Sequence, residues 1–220
     1  MIFELSRTTD FPDPRFGDKS GFYAIGGDIS PERLTKAYPL GIFPYYCFRL
    51  EPICWWAPQE RFVIFPEEIH VSHSMRNMMN KRRYRCTIGK DFYGVICGCA
   101  GVDGRCDEPN AWLGPEMITS WLVLHDMGYG QSVEVWEGDE LVGGLYGFVC
   151  GRCFMGESMF SLVPGASKLA LIHLAREMQK QGGLMIDCQL ETPHLKSMGA
   201  RYISYDAYLE MTSSGGTMNL

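Results

Sequence analysis

The chain has 220 residues, 46% hydrophobic and 21% charged, with 20 Lys and Arg against 26 Asp and Glu for a net charge of −6. That length holds one large domain or two small ones with a proper core, and the acidic balance excludes a generic nucleic-acid coat protein. No stretch approaches the ~18 uninterrupted apolar residues of a membrane span, and Met1–Arg7 carries an early acid in place of a signal peptide's apolar run; a cytoplasmic protein without membrane contact is expected.

The first sixty residues are rich in Gly, Pro and aromatics and predict a small N-terminal lobe, residues 1–60. Ser30-Pro31-Glu32 is a helix start, with Ser as N-cap and Pro at the first position, and the helix runs to Tyr38. Gly41–Tyr46 and Ile53–Pro58 read as turn-rich aromatic segments rather than regular elements. From 61 to 220 the pattern is more regular. Arg61–Phe65 reads as a strand stopped by Pro66, Ser72 opens a helix through Met75, Met78 and Met79, Arg85–Ile88 is a strand and Asp91–Ala100 a helix. Pro115 begins a helix closed by Gly128. Strands follow at 132–137, 140–149 and 152–157, joined by Glu137-Gly138-Asp139 and Cys150-Gly151 turns. A helix spans 167–181, a buried strand 184–190, a helical turn 194–198, a last strand 201–204 and a final helix 205–211. The late order β-β-β-α-β-α-β makes a mixed sheet flanked by helices, an α+β fold, and resembles the GNAT-type N-acetyltransferase superfold.

Two acids stand out. Glu157 follows the apolar run Cys153–Gly156, and Asp187 sits inside the apolar run Leu184–Leu190. A buried carboxylate costs several kcal/mol unless it is paired or placed at a polar site. Asp187 is therefore either a structural acid bonded to a backbone group or an Arg, or a functional one. On a strand, Gln189 would share its face, and a carboxylate beside an amide can hold an attacking amine; the pair is the candidate catalytic group. Cys188 falls on the opposite face and reads as a core thiol, with a Cys188–His194 nucleophile pair unsupported. In the superfold, a Gly-rich loop before the crossover helix cradles the pyrophosphate of coenzyme A. The stretch here, Glu157–Ala166, lacks that signature and begins with an acid, so the acyl donor is not acyl-CoA.

The nine cysteines are odd in number and spread along the chain, which predicts reduced thiols. Cys97, Cys99, Cys106, Cys150 and Cys153 lack a histidine at finger spacing, and no metal is expected. A basic cluster, Arg76, Lys81, Arg82, Arg83 and Arg85, reads either as a solvated helix end or as a polyanion site.

A set of segments in this order, Gly26-Gly27-Asp28-Ile29-Ser30-Pro31, Gly41-Ile42-Phe43-Pro44, Trp55-Trp56-Ala57-Pro58, Leu141–Gly147, Gly156-Glu157-Ser158-Met159-Phe160-Ser161 and Ile186-Asp187-Cys188-Gln189, resembles the bacterial leucyl/phenylalanyl-tRNA–protein transferases over nearly the whole chain. The resemblance implies transfer of Leu or Phe, less well Met, from aminoacyl-tRNA to the α-amino group of proteins that begin with Arg or Lys, marking them for N-end-rule degradation. It implies no organic cofactor or metal, and a monomer is expected. It matches Asp187 and Gln189 to the pair that orients the acceptor amine, and Glu157 to an acid near the donor ester and the acceptor's cationic side chain. It matches Trp112 to an aromatic that holds the terminal adenosine, and Phe154 and Leu145 to the wall around the donor side chain. Tyr45 stands where the family often has Trp and can still stack on adenine. Trp121 is a further candidate substrate contact and stands where Tyr is common, and Leu145 stands where Met is common. The basic cluster becomes the candidate contact for the tRNA acceptor stem. The rivals are a CoA-dependent N-acetyltransferase, a peptidoglycan-type aminoacyl transferase and a non-catalytic tRNA- or peptide-binding module.

Overall fold

The structure, a computed structural model, describes residues 2–18, 20–47, 50–101 and 113–220. Its N-terminal part is a four-stranded sheet of β1 (Phe3–Leu5), β2 (Phe22–Gly26), β3 (Phe43–Cys47) and β4 (Leu50–Trp56), ordered β1-β2-β4-β3. Between β2 and β3 runs α1 (Pro31–Ala37), where the Ser30 hydroxyl accepts from the Arg33 N–H as the sequence predicts. The two aromatic segments expected to be irregular are strands β3 and β4. Pro44 stands on the edge strand β3, and Pro52 lies where the β3–β4 register is irregular, places where a missing N–H is tolerated.

The second sheet has seven strands. In chain order the elements are β5 (Glu60–Ile64), α2 (His73–Asn80), β6 (Tyr84–Ile88), α3 (Phe92–Gly101), α4 (Pro115–Asp126), β7 (Gly130–Glu137), β8 (Glu140–Cys150), β9 (Cys153–Ser161), α5 (Ala166–Lys180), β10 (Met185–Asp187), α6 (Pro193–Lys196), β11 (Arg201–Ser204) and α7 (Tyr205–Thr212). The strand order is β11-β5-β10-β9-β8-β7-β6. Among the described strands of this sheet only the β9–β10 pair is parallel, because α5 carries the chain back across the sheet between them. This is the mixed α+β sheet the sequence predicts, with β5 inserted between β10 and β11.

Each face of the sheet buries a core. One packs Val133, Val135, Leu145, Phe154 and Ile186 under α5. The other packs Tyr146, Phe148, Met155 and Phe160 against α3, α4 and the small sheet, through Tyr23, Phe43 and Trp55. Among the described residues, no helix is long and apolar enough to cross a membrane, and no three His, Cys, Asp or Glu side chains are grouped to hold a metal ion. Cys150 and Cys153 face each other as the last pair of the β8–β9 hairpin, and both are free thiols; Cys106 lies outside the described residues.

The β8–β9 ladder contains one irregularity. Tyr146 pairs with Ser158, but Gly147 pairs with Gly156, so Glu157 is the extra residue of a β-bulge. A bulge shifts the alternation of side chains by one. Phe154 and Met159 accordingly join the α5 core, while Met155 and Phe160 join the other. Opposite the bulge only glycine fits, since a Cβ at Gly147 would meet the Met155 carbonyl oxygen at 2.1 Å and the Phe154 ring at 2.7 Å. Gly147→Ala is expected to cost about 3 kcal/mol, read as a lower urea midpoint with an unchanged slope.

Candidate active site

β9 and β10 pair only where Cys153–Met155 meets Met185–Asp187. Beyond that β9 runs on to Ser161, whereas the chain after Asp187 leaves the sheet. A cavity of about 520 Å³ opens there, lined by β9, β10, the start of α5, the α6 segment and Phe43, Pro44 and Tyr45 of β3. The strand expected to reach Leu190 therefore ends at Asp187, and the reason is local. Gln189 has φ +61°, and the Leu190 N–H donates to the Cys188 carbonyl at 2.7 Å. This closes a three-residue turn of the rare positive-φ form. Asp187 and Gln189 do line one cavity, but this turn, not strand alternation, brings them together.

The turn aims the Gln189 amide, whose Nε2 donates to Glu157 Oε1 at 2.6 Å. Glu157 comes from the opposite wall, projected by the bulge. It is partly exposed and lines the cavity, and burial pushes its carboxyl from 4.5 up to about 8. The Asp187 charge adds to the rise, while Gln189 and the Tyr38 hydroxyl hold it back. The Tyr38 contact is electrostatic rather than an aligned hydrogen bond. Burial, with the Glu157 carboxyl beside it, raises the Tyr38 phenol well above its usual range. Its ring is stacked on Phe148 at 4.8 Å.

Asp187 is fully buried, and both of its oxygens are engaged. Oδ1 accepts the Gln189 backbone N–H at 2.9 Å, and Oδ2 is ion-paired with Arg61 Nη2. The Arg61 guanidinium is as deeply buried. Its Nη1 donates to the Gly41 carbonyl at 2.6 Å, and it lies over the Tyr208 ring at 4.7 Å and the Phe43 ring at 5.5 Å. Sequence reasoning places Arg61 only as the first residue of a strand; an arginine leading the apolar run Phe62–Phe65 is the one signal that could have flagged it. Tyr38 carried no such signal.

The other half of the cavity wall is apolar, with Leu145, Phe154, Met159, Leu171, Ile186 and Leu195. Leu145 and Phe154 are both on this wall. Tyr45 is on the cavity wall too, 56% exposed, with its ring available for stacking. Trp121 is not on the wall. It is fully buried behind it, edge-on to Tyr146 at 5.0 Å and tilted against Tyr38, so the substrate contact expected of it is corrected to packing beneath the site. Trp112 lies outside the described residues. Cys188 lines the cavity, but burial drives its thiol far up, so it is no nucleophile at neutral pH.

A family model described as leucyl/phenylalanyl-tRNA protein transferase matches residues 63–213, and the model of that enzyme's N-terminal domain matches 27–59. This chain belongs to that family. A leucyl/phenylalanyl-tRNA–protein transferase of Syntrophus aciditrophicus is 45% identical over 94% of this chain and 86% of its own. One of Syntrophobacter fumaroxidans is 44% identical over 96% of this chain and 89% of its own. Among solved structures, L-PGS from Bacillus licheniformis covers 80% of this chain at 11% identity with a TM-score of 0.39, over 56% of its own length, a likeness too low to assign a fold.

The basic cluster lies on α2, β6 and the turn between them, and all five residues are exposed. Arg83 is ion-paired with Glu137 at 2.6 Å, Arg85 lies over the Trp136 ring at 5.5 Å, and Arg76 Nε donates to the Val71 carbonyl. Lys81 and Arg82 have no ion pair among the described residues. The cluster is remote from the cavity floor: β6 is three strands from β9, roughly 14 Å at sheet spacing. It joins the cavity region through α2, whose Met75 and Met78 pack beside Gly165 at the start of α5.

Removing one partner of a buried ion pair strands the other. Arg61→Met is expected to lose about 3–5 kcal/mol, and Arg61→Met with Asp187→Asn to lose clearly less, as measured by urea unfolding at pH 7. The Glu157 carboxyl gives a second test. Its folded pKa lies above its unfolded value, so its contribution to stability is complete below about 4.5 and lost as pH rises to about 8. Glu157→Gln should therefore gain stability over the parent at pH 8–9 and lose that advantage at pH 4, in unfolding curves recorded across this range.

Proposed function

We infer that this chain transfers Leu or Phe, and less well Met, from aminoacyl-tRNA to the α-amino group of proteins that begin with Arg or Lys, marking them for N-end-rule degradation. Family membership supports the reaction, and the position of Glu157 supports its chemistry in this chain: a carboxyl set by a bulge at the head of an apolar cavity and held by Gln189. The apolar wall of Leu145, Phe154, Leu171 and Ile186 suits a Leu or Phe side chain, which gains about 25 cal/mol per Å² of apolar surface buried. An N-terminal Arg or Lys is a cation and seeks the acid.

The α-ammonium of the acceptor must lose a proton before it can attack. Glu157, near 8, matches the ~7.7–8.0 of an α-amine. Its carboxylate takes that proton. The amine nitrogen then attacks the ester carbonyl carbon, the bond to the ribose oxygen breaks, and the second amine proton passes to the departing oxygen. An amide and a free ribose hydroxyl result, and Glu157 returns its proton to water. Gln189 fixes the carboxyl. Asp187, with both oxygens engaged, serves as a positioning group that holds the Gln189 turn.

Tyr45 is read as the stacking surface for the terminal adenine, and Arg76, Lys81, Arg82, Arg83 and Arg85 as phosphate contacts of modest, salt-sensitive affinity. A division into a small lobe, 1–60, and a GNAT-like catalytic domain, 61–220, is supported by the separation of β1–β4 and β5–β11 into two sheets. A cytoplasmic monomer working without cofactor fits the same reading.

Purified protein is expected to move labelled Leu from charged tRNA onto an Arg-starting peptide; no transfer sinks the reading. In that assay kcat/KM for the peptide should rise with pH and level off above about 8. Glu157→Gln should cut kcat/KM roughly a hundredfold, with donor binding little changed and with a rise from the peptide's own α-amine remaining.

A further inference from the structure

Tyr208 is fully buried on α7, away from the cavity lining, and the chemistry above does not use it. It nevertheless reaches the supports of both cavity walls. Its ring carries the Arg61 guanidinium at 4.7 Å, and Arg61 holds Asp187 and with it the Gln189 turn. Its hydroxyl donates to the Tyr38 carbonyl at 3.0 Å, and the Tyr38 side chain stands behind Glu157. Burial raises the Tyr208 phenol far above its usual range, so it stays protonated and remains a donor. The seat is tight. Gly41 lies between Tyr208 and Arg61, and a Cβ there would meet the Tyr208 ring at 2.9 Å and Arg61 Nη1 at 3.4 Å.

The Tyr38 hydroxyl is sealed from solvent and has no aligned partner among the described residues. The titratable groups that face it are Glu157, Tyr146 and Tyr208. A hydroxyl beside a carboxyl gains a charge-assisted bond once that carboxyl ionises, provided that it reaches. The Tyr38 ring packs on Phe148 and Trp121, but aromatic pairs hold over centroid separations of about 4.5–7 Å. Such packing sets the plane of the ring and not the reach of its hydroxyl. The backbone sets the reach. The Gly41 N–H bonds the same Tyr38 carbonyl at 2.9 Å, but it belongs to the same turn and moves with it. Tyr208 lies 170 residues along the chain, so its bond ties that turn to the body of the catalytic sheet.

We propose that Tyr208 is a positioning residue for the transfer: by holding the Tyr38 backbone while its ring bears Arg61, it sets the reach of the Tyr38 hydroxyl to Glu157 against the Gln189 turn on the facing wall. The inference rests on the transfer reading above. Tyr208 touches no substrate and exchanges no proton.

The test compares the parent with Tyr208→Phe, which keeps the ring over Arg61, and with Tyr205→Phe. The second variant removes a matching α7 hydroxyl, one that donates to the Leu40 carbonyl at 2.7 Å. Leucyl-tRNA is the donor and an Arg-starting peptide the acceptor. Tyr208→Phe should lower kcat roughly five- to tenfold and leave both KM values within about twofold. Tyr205→Phe should leave kcat within about twofold as well. Carbon-13 spectra of glutamate-labelled protein, with the Glu157 carboxyl signal assigned by its loss in Glu157→Gln, add a readout that general packing does not move. Tyr38 holds the Glu157 midpoint down, so Tyr208→Phe should move it upward from about 8 and Tyr205→Phe should not. Replacing Tyr208 by 4-aminophenylalanine, which keeps the ring and a donor, should restore kcat. The Tyr38 carbonyl keeps its Gly41 partner in Tyr208→Phe; if that variant fails to fold, 4-fluorophenylalanine, which fills the hydroxyl's volume without donating, takes its place. Equal losses in the Tyr208 and Tyr205 variants overturn the proposal, pointing to the packing of α7. An unmoved Glu157 midpoint overturns it too, as does a loss that appears in KM and not in kcat. If the parent is inactive with leucyl-tRNA, the transfer reading and this inference fall together; if the parent is active and Tyr208→Phe matches it, only this inference falls.

Discussion

The ion pair between Arg61 and Asp187 organises the site. Taking two charges out of water costs several kcal/mol each, and their attraction offsets this only with good geometry and further hydrogen bonds. Here the guanidinium also holds the Gly41 carbonyl and lies over Tyr208 and Phe43, so one cation ties β5 to β10, to α7 and to the chain entering β3. The carboxylate passes the constraint on. Its second oxygen holds the Gln189 N–H, Gln189 takes up its left-handed turn, and its amide meets Glu157. A buried pair by itself is weak evidence of net stability; what this one fixes is the position of the Gln189 turn on the cavity wall.

Backbone strain and electrostatic cost are concentrated on the same few residues. Gln189 holds a positive φ that L side chains avoid, and Glu157 is a carboxyl surrounded by protein. Such costs persist when the surroundings over-determine them. Around Gln189 the surroundings are the Asp187 oxygen and the turn it caps; around Glu157 they are the bulge, the Tyr38 hydroxyl and the Gln189 amide. With burial raising the Glu157 carboxyl to about 8 and Arg61 paired with Asp187, the unliganded cavity carries little net negative charge at pH 7.

The sheet was legible in the sequence because its strands and helices alternate in period and are punctuated by Gly and Pro; the crossover of α5 and the parallel β10 follow from that order. Strands β3 and β4 were not, since Pro44, Pro52 and the aromatic pairs around them carry turn chemistry that the small sheet overrides. Glu157, Asp187 and Gln189 stood out as polar residues in apolar runs. Their geometry did not: a bulge is invisible in a strand whose both faces are apolar, and a left-handed Gln has no local signature. Arg61 was missed because its partner lies 126 residues away, a contact only the assembled sheet makes. Trp121 was misassigned because a large aromatic beneath a cavity wall and one on it look alike in a sequence.

The bulge also bears on how such a site can be lost. Glu157 is the unpaired residue in β9, and on either side of it Phe154 and Met159 face one core while Met155 and Phe160 face the other. Excising that one codon would leave an unbroken alternation, with every neighbour on the face it already occupies. A three-nucleotide deletion there would remove the carboxyl and regularise the ladder while leaving the cavity and both cores in place.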